Sequence, residues 1–273
     1  MTAPFPQSSF GDGQAVLLPN GKILCGYLSG TQTYLYDPTT NTWTQTGSKI
    51  HADRSNEETW LLLADGSVLS YDIFASPSSG AGSAQKYDYT TGQWVDAGVV
   101  PVPLTSSSLG YELGGGTVLP DGRAMLIGAN NNSVFYDPTT NTWATGPTMP
   151  SGLGSDDAPS AMLPDGHFVF FADTPLFNGP TKMFDFDYTT NTLTDITPGG
   201  TGSPDLSGPA FVGRMLILPN GHMLMNTGGS TLWEYTPAGS PQSSWAPTIS
   251  SISQTATLPV PTFQLTGTQL TGL

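Results

Sequence analysis

Short apolar runs recur in pairs along the chain, and the same kind of four-residue break separates the members of each pair. Ala15-Val16-Leu17 leads into Leu18-Pro19-Asn20-Gly21, and Ile23-Leu24 follows it. Four more copies stand at Leu63-Ala64-Asp65-Gly66, Leu119-Pro120-Asp121-Gly122, Leu163-Pro164-Asp165-Gly166 and Leu218-Pro219-Asn220-Gly221. Asn-Gly or Asp-Gly between two such runs predicts a β-hairpin, because glycine accepts the positive φ of a tight turn.

A second motif follows each hairpin: YDPTTNTW at 36–43, YDYTTGQW at 87–94, YDPTTNTW at 136–143, FDYTTNTL at 186–193, and a degenerate version from Tyr235 to Trp245. Its Asp-Pro-Thr-Thr-Asn core is turn chemistry: proline presets φ while Asp and Asn bond nearby backbone. The motif therefore joins a third strand to a fourth, and one unit is four antiparallel strands. Such a sheet cannot bury both faces alone, so the units pack face to face about an axis as the blades of a β-propeller. The pattern predicts an all-β chain with five visible blades at about 11–47, 56–97, 112–146, 156–196 and 209–248. Tyr36, Tyr87 and Tyr136, with Trp43, Trp94 and Trp143, recur in register and are expected to pack between blades.

Composition agrees with many short strands and turns: 33 Gly, 24 Pro and only 10% charged residues, with 10% aromatics. No run of eighteen or more apolar residues is present, so no membrane span is expected. The formal charge of −14 opposes binding to nucleic acid. Cys25 is the single cysteine and has no disulfide partner within the chain. Low charge and Thr/Ser/Asn richness suit a secreted or cell-surface protein, although residues 1 to 10 lack the basic and apolar regions of a signal peptide.

The repeat resembles the kelch repeat, and LPDGR with YDPTTNTW is most similar to the galactose-oxidase-like kelch propellers of bacteria and fungi. It covers residues 11 to about 248. The double glycine of kelch second strands is clear only at Gly228-Gly229. The resemblance implies that residues 249–273 begin an immunoglobulin-like β-sandwich domain, truncated here, and that the chain is a fragment. It also implies seven blades, two of them upstream of Met1; the alternative is that five close by themselves.

Both repeated turns join strands one to two and three to four, so they share one uniform end of the propeller. The other end carries loops that vary: 72–84, 97–113, 146–157, 172–181 and 196–210. Binding groups sit on variable loops held by a rigid scaffold, which places the expected site there. Aligning the blades on their first turn puts Asp12, Glu57 and Asp157 at the start of innermost strands, with Glu112 and Asp156 one residue earlier in their blades. These carboxylates are expected near the mouth of the axial channel, together with Arg54 and Arg214. Such a ring suits a cationic group or Ca²⁺, or consists of carboxylates that bond backbone amides or stay solvated. The two arginines are expected to neutralise it in preference to binding an anion.

The resemblance also implies a copper ion held by two tyrosines and two histidines, with one tyrosine cross-linked to a cysteine. No residue here matches that motif: His167 and His222 follow the repeated turns, His51 lacks a neighbouring tyrosine, and Cys25 reads as a small buried apolar group. Gly114-Gly115-Gly116 precedes a strand and not a phosphate-binding helix. Three functions follow. The first is a non-catalytic binding or scaffold propeller for a carbohydrate or protein, with no cofactor. The second is a copper-radical oxidase relative acting on a sugar or alcohol. The third is a hydrolase or lyase that uses the axial carboxylates.

Overall fold

The computed structural model describes residues 2–74, 82–237, 248–256 and 262–268. Its first sheet is β1 (Ala15–Leu17), β2 (Ile23–Gly26), β3 (Thr33–Asp37) and β4 (Thr42–Gln45), paired antiparallel in chain order. Three more four-stranded sheets repeat this order. They are β5 (Trp60–Leu62) to β8 (Gln93–Val100), β9 (Gly116–Val118) to β12 (Thr142–Thr145), and β13 (Ser160–Met162) to β16 (Thr192–Asp195). Within them run β6 (Val68–Tyr71), β7 (Gly82–Asp88), β10 (Ala124–Ile127), β11 (Ser133–Asp137), β14 (Phe168–Thr174) and β15 (Asn178–Asp187). A fifth sheet holds β17 (Gly213–Ile217), β18 (Met223–Thr227) and β19 (Trp233–Tyr235). The fourth strand expected near Trp245 lies outside the described residues. β20 (Thr248–Ala256) and β21 (Thr262–Thr268) pair with each other as a separate hairpin. The only helical element among the described residues is a single 3₁₀ turn, Ala210–Val212.

These sheets form the expected five-bladed propeller. The innermost strands touch in succession, β1 to β5, β5 to β9, β9 to β13 and β13 to β17. Apolar cores lie between blades. Leu24, Trp60, Tyr87 and Trp94 fill the first junction, Tyr71, Leu126 and Tyr136 the second, Phe135, Phe168, Phe170 and Phe186 the third, and Phe171, Met223 and Met225 the fourth. Each fully buried aromatic contributes about 1.5–3 kcal/mol, so the junctions hold the blades in place.

The motif tryptophans are junction residues in detail. The indole N–H of Trp94 bonds Thr33 Oγ1 in the preceding blade at 2.9 Å, and that of Trp143 bonds the Ala97 carbonyl at 2.7 Å. In the first blade Trp43 bonds the Ala3 carbonyl at 3.0 Å, and the Phe5 ring packs edge-on against Trp43 and Tyr34. In the first blade residues of the N-terminal segment thus make the tryptophan contact that the preceding blade makes in the second and third. Leu17 and Leu216, on β1 and β17, are 63% and 62% exposed. Among the described residues these two strands do not form the junction that the other innermost strands make.

The first turn differs from a two-residue hairpin loop. The Gly21 N–H bonds the Leu18 carbonyl at 2.9 Å, so Pro19 and Asn20 are the central residues and Gly21 the fourth. Gly21 is left-handed, at φ 79°, and lets the chain rejoin the ladder through Leu18 N–H to the Lys22 carbonyl at 2.8 Å. Asn20 Oδ1 accepts from the Lys22 N–H, and Asp65, Asp121, Asp165 and Asn220 repeat that bond in the other copies. Proline at the second position and glycine at the fourth suit this turn type.

Candidate functional site

The four segments that lead into β1, β5, β9 and β13 converge on the axis at the variable-loop end. Backbone bonds tie three of them: the Glu57 N–H to the Asp12 carbonyl at 3.3 Å, and the Leu113 N–H to the Glu57 carbonyl at 2.9 Å. Thr59 Oγ1 adds a bond to the Gly114 carbonyl at 2.7 Å. Asp12, Glu57, Glu112 and Asp157 line a single cavity of about 420 Å³ with Phe177 and Phe211. The two rings meet edge to face, 5.2 Å apart at 72°. Glu57 and Asp157 hold left-handed backbone, at φ 58° and 48°. Such a conformation in a non-glycine residue costs on the order of 1 kcal/mol and persists only where its surroundings impose it.

The carboxyls perturb one another. Glu57 is pushed up to about 8, first by burial and then by the charges of Glu112, Asp12 and Asp157. Glu112 rises through burial, then Asp157 and Asp12. Asp157 rises through burial against the opposing pull of Arg214. At neutral pH the mouth therefore carries fewer charges than its four carboxyls allow.

The remaining sequence-selected residues separate from this cavity. Asp156 lies buried behind it, accepts the Glu112 N–H at 3.1 Å, and is pushed up to about 7, mainly by burial. Arg214 donates to the carbonyls of Phe211 and Gly213, and its charge lowers Asp157 against burial. Arg54 lies apart from the cavity lining, its guanidinium over the Phe74 ring, 3.8 Å from the centroid. Phe177 and Phe211 carried no repeat signal. The loop expected at 172–181 is largely strand, since β14 and β15 extend into a long hairpin whose tip, with Leu176 and Phe177 left-handed, reaches the mouth.

A second buried polar cluster was also invisible in the sequence. Lys49 is fully buried and bonds Glu58 and, at 3.2 Å, Asp53. Trp60 Nε1 donates to Glu58 at 2.6 Å, and the Ile73 and Phe74 N–H groups donate to Asp53. Burial alone would discharge Lys49, but Glu58, Asp53 and Asp72 outweigh it and raise its pKa. Burial raises Glu58 against the pull of Lys49, with the Asp53 hydrogen bond and charge adding to the rise. Met149 occupies the same place in the third blade, its N–H bonding Asn131 as that of Lys49 bonds Thr31.

Neither metal considered from the sequence fits the described residues. His51, His167 and His222 stand apart, each with its own carboxylate: Asp72 at 2.5 Å, Asp185 at 2.8 Å and Glu234 at 2.6 Å. The Cys25 thiol is buried in β2 and pushed up to about 12 by desolvation, which keeps it protonated and unreactive. Among the described residues no group of three or more His, Cys, Asp and Glu has a metal-holding arrangement, the axial carboxylates included. No helix among them is long and apolar enough to cross a membrane.

No family model matches the sequence, and no curated protein matches it. Among solved structures the chain is similar to the extracellular domain of the proposed one component system BT4673 from B. thetaiotaomicron, at 13% identity and a TM-score of 0.56. The match covers 83% of this chain and 28% of that one, so the chain spans little more than a quarter of its neighbour's length. At this identity the likeness is one of fold: the chain is a β-propeller.

Proposed function

We propose that this chain is a non-catalytic binding propeller that receives a cationic group of a carbohydrate or protein ligand at the axial mouth. One observation carries the reading: four carboxylates from four blades and two phenylalanine rings face one cavity at the end where the loops vary. Carboxylates attract the charge, and the rings receive the apolar stem of a lysine or arginine side chain. The left-handed backbone of Glu57 and Asp157 supports the reading, since strain of that kind collects at functional positions. A kelch-type, galactose-oxidase-like origin, a bacterial and exported setting, and a β-sandwich beginning at residue 249 belong to the same proposal. They rest on the repeat motifs, and the extracellular placement of the structural neighbour agrees with them.

A second reading has one observation in its favour. Glu57, at about 8, keeps a proton at neutral pH, as the general acid of a hydrolase does. Titration with tetralysine distinguishes the two. The binding reading expects a complex that Glu57→Gln with Asp157→Asn weakens at least tenfold, and no turnover of glycan substrates. A hydrolase loses turnover on Glu57→Gln alone.

A further inference from the structure

Arg54 is the arginine of the chain whose fork is unspent. Arg123 is held by Asp121, Arg214 by two carbonyls, Lys22, Lys49 and Lys182 by carboxylates, and Lys86 lies over the Tyr136 ring at 5.4 Å. Among the described residues the Arg54 guanidinium has neither hydrogen bond nor ion pair. It is exposed and seated over Phe74, which in turn stacks on Tyr111 at 5.6 Å and 26°. A guanidinium anchored on a ring keeps its N–H donors unspent, and their fork matches a carboxylate.

Arg54 and Phe74 border a cleft of about 510 Å³ whose other walls include Tyr27, Ser29, Thr31 and Gln32. These are neutral hydroxyl and amide groups, able to donate and accept. The Gln32 side-chain oxygen is buried there without a donor among the described residues. The cleft shares no lining residue with the axial cavity, and Arg54 is not among the main charges acting on Glu57, Glu112 or Asp157.

We propose that this cleft binds a carboxylate-bearing sugar, a uronic acid residue. Arg54, held in place by Phe74, takes the carboxylate, the Tyr27 ring takes the apolar face of the sugar, and the hydroxyl and amide walls take its hydroxyls. A single cation on a chain of formal charge −14 suits one carboxylate and disfavours densely charged phosphate or sulfate polymers. This goes beyond the axial reading and stands or falls without it.

The test is calorimetric titration with trimers of galacturonate, glucuronate and mannuronate beside their neutral counterparts. At least one uronate trimer binds tenfold or more tightly than its neutral partner, and Arg54→Gln abolishes that difference with the melting temperature unchanged. Lys182→Gln, which removes the same charge from a surface pair on the fourth blade, leaves uronate binding intact. The proposal is overturned if no uronate trimer binds at millimolar concentration, if neutral trimers bind equally, or if Arg54→Gln binds like the parent.

Discussion

Glu57 illustrates how a candidate site residue is set by its surroundings. Its folded pKa of about 8 lies above that of an unfolded glutamate, so the folded state holds the extra proton between about pH 4.5 and 8. The stability it contributes is complete below that window and is lost as pH rises through it. Glu57→Gln is expected to flatten this loss, raising stability at pH 8.5 by on the order of 1 kcal/mol; the full shift overstates the gain because the group is part-exposed and screened. Thermal melts from pH 5 to 9 check it. Lys49 gives the opposite lesson. Lys49→Met copies the third blade but leaves Glu58 and Asp53 buried without their cation, so it should cost about 3 kcal/mol or more. Adding Glu58→Gln should recover part of that loss in urea denaturation. The axial carboxylates could be found because aligned turns fix where each innermost strand starts. Lys49 and Arg54 could not, since burial and ring stacking depend on loops that the repeat leaves unspecified.

At the scale of elements, both turns were readable because their chemistry is local: proline, Asx side chains and a left-handed glycine act within five residues. The copies are not equivalent in space. A methyl group at Gly122 would meet nothing within 4 Å, whereas at Gly66 it would lie 2.5 Å from the Tyr89 ring and 2.9 Å from Pro19. Gly122→Ala is therefore expected to cost about 1 kcal/mol from backbone conformation alone. Gly66→Ala should cost distinctly more, and equilibrium unfolding of the two variants provides the comparison. The long β14–β15 hairpin was hidden because Pro175 and the polar Asn178-Gly179-Pro180 read as loop. Pairing with β14 overrides that signal and carries Phe177 to the mouth.

For the whole molecule, the four junction cores fix where the blades stand, and so where the carboxylates of different blades meet. No single blade contains the site, which is why its residues acquire meaning only once the blades are aligned. The proposed function links charge to protonation at the axial mouth: a bound cation would favour ionised Glu57, and ionised Glu57 would favour the cation. Titrating the protein with tetralysine acetylated at its N-terminus and amidated at its C-terminus, at pH 6 and pH 9, tests this most directly, because its side-chain ammonium groups stay charged throughout. The account predicts affinity about tenfold higher at pH 9, the worth of roughly one added charge, and loss of that pH dependence in Glu57→Gln. Binding that is absent, independent of pH, or equally pH-dependent in Glu57→Gln would contradict it.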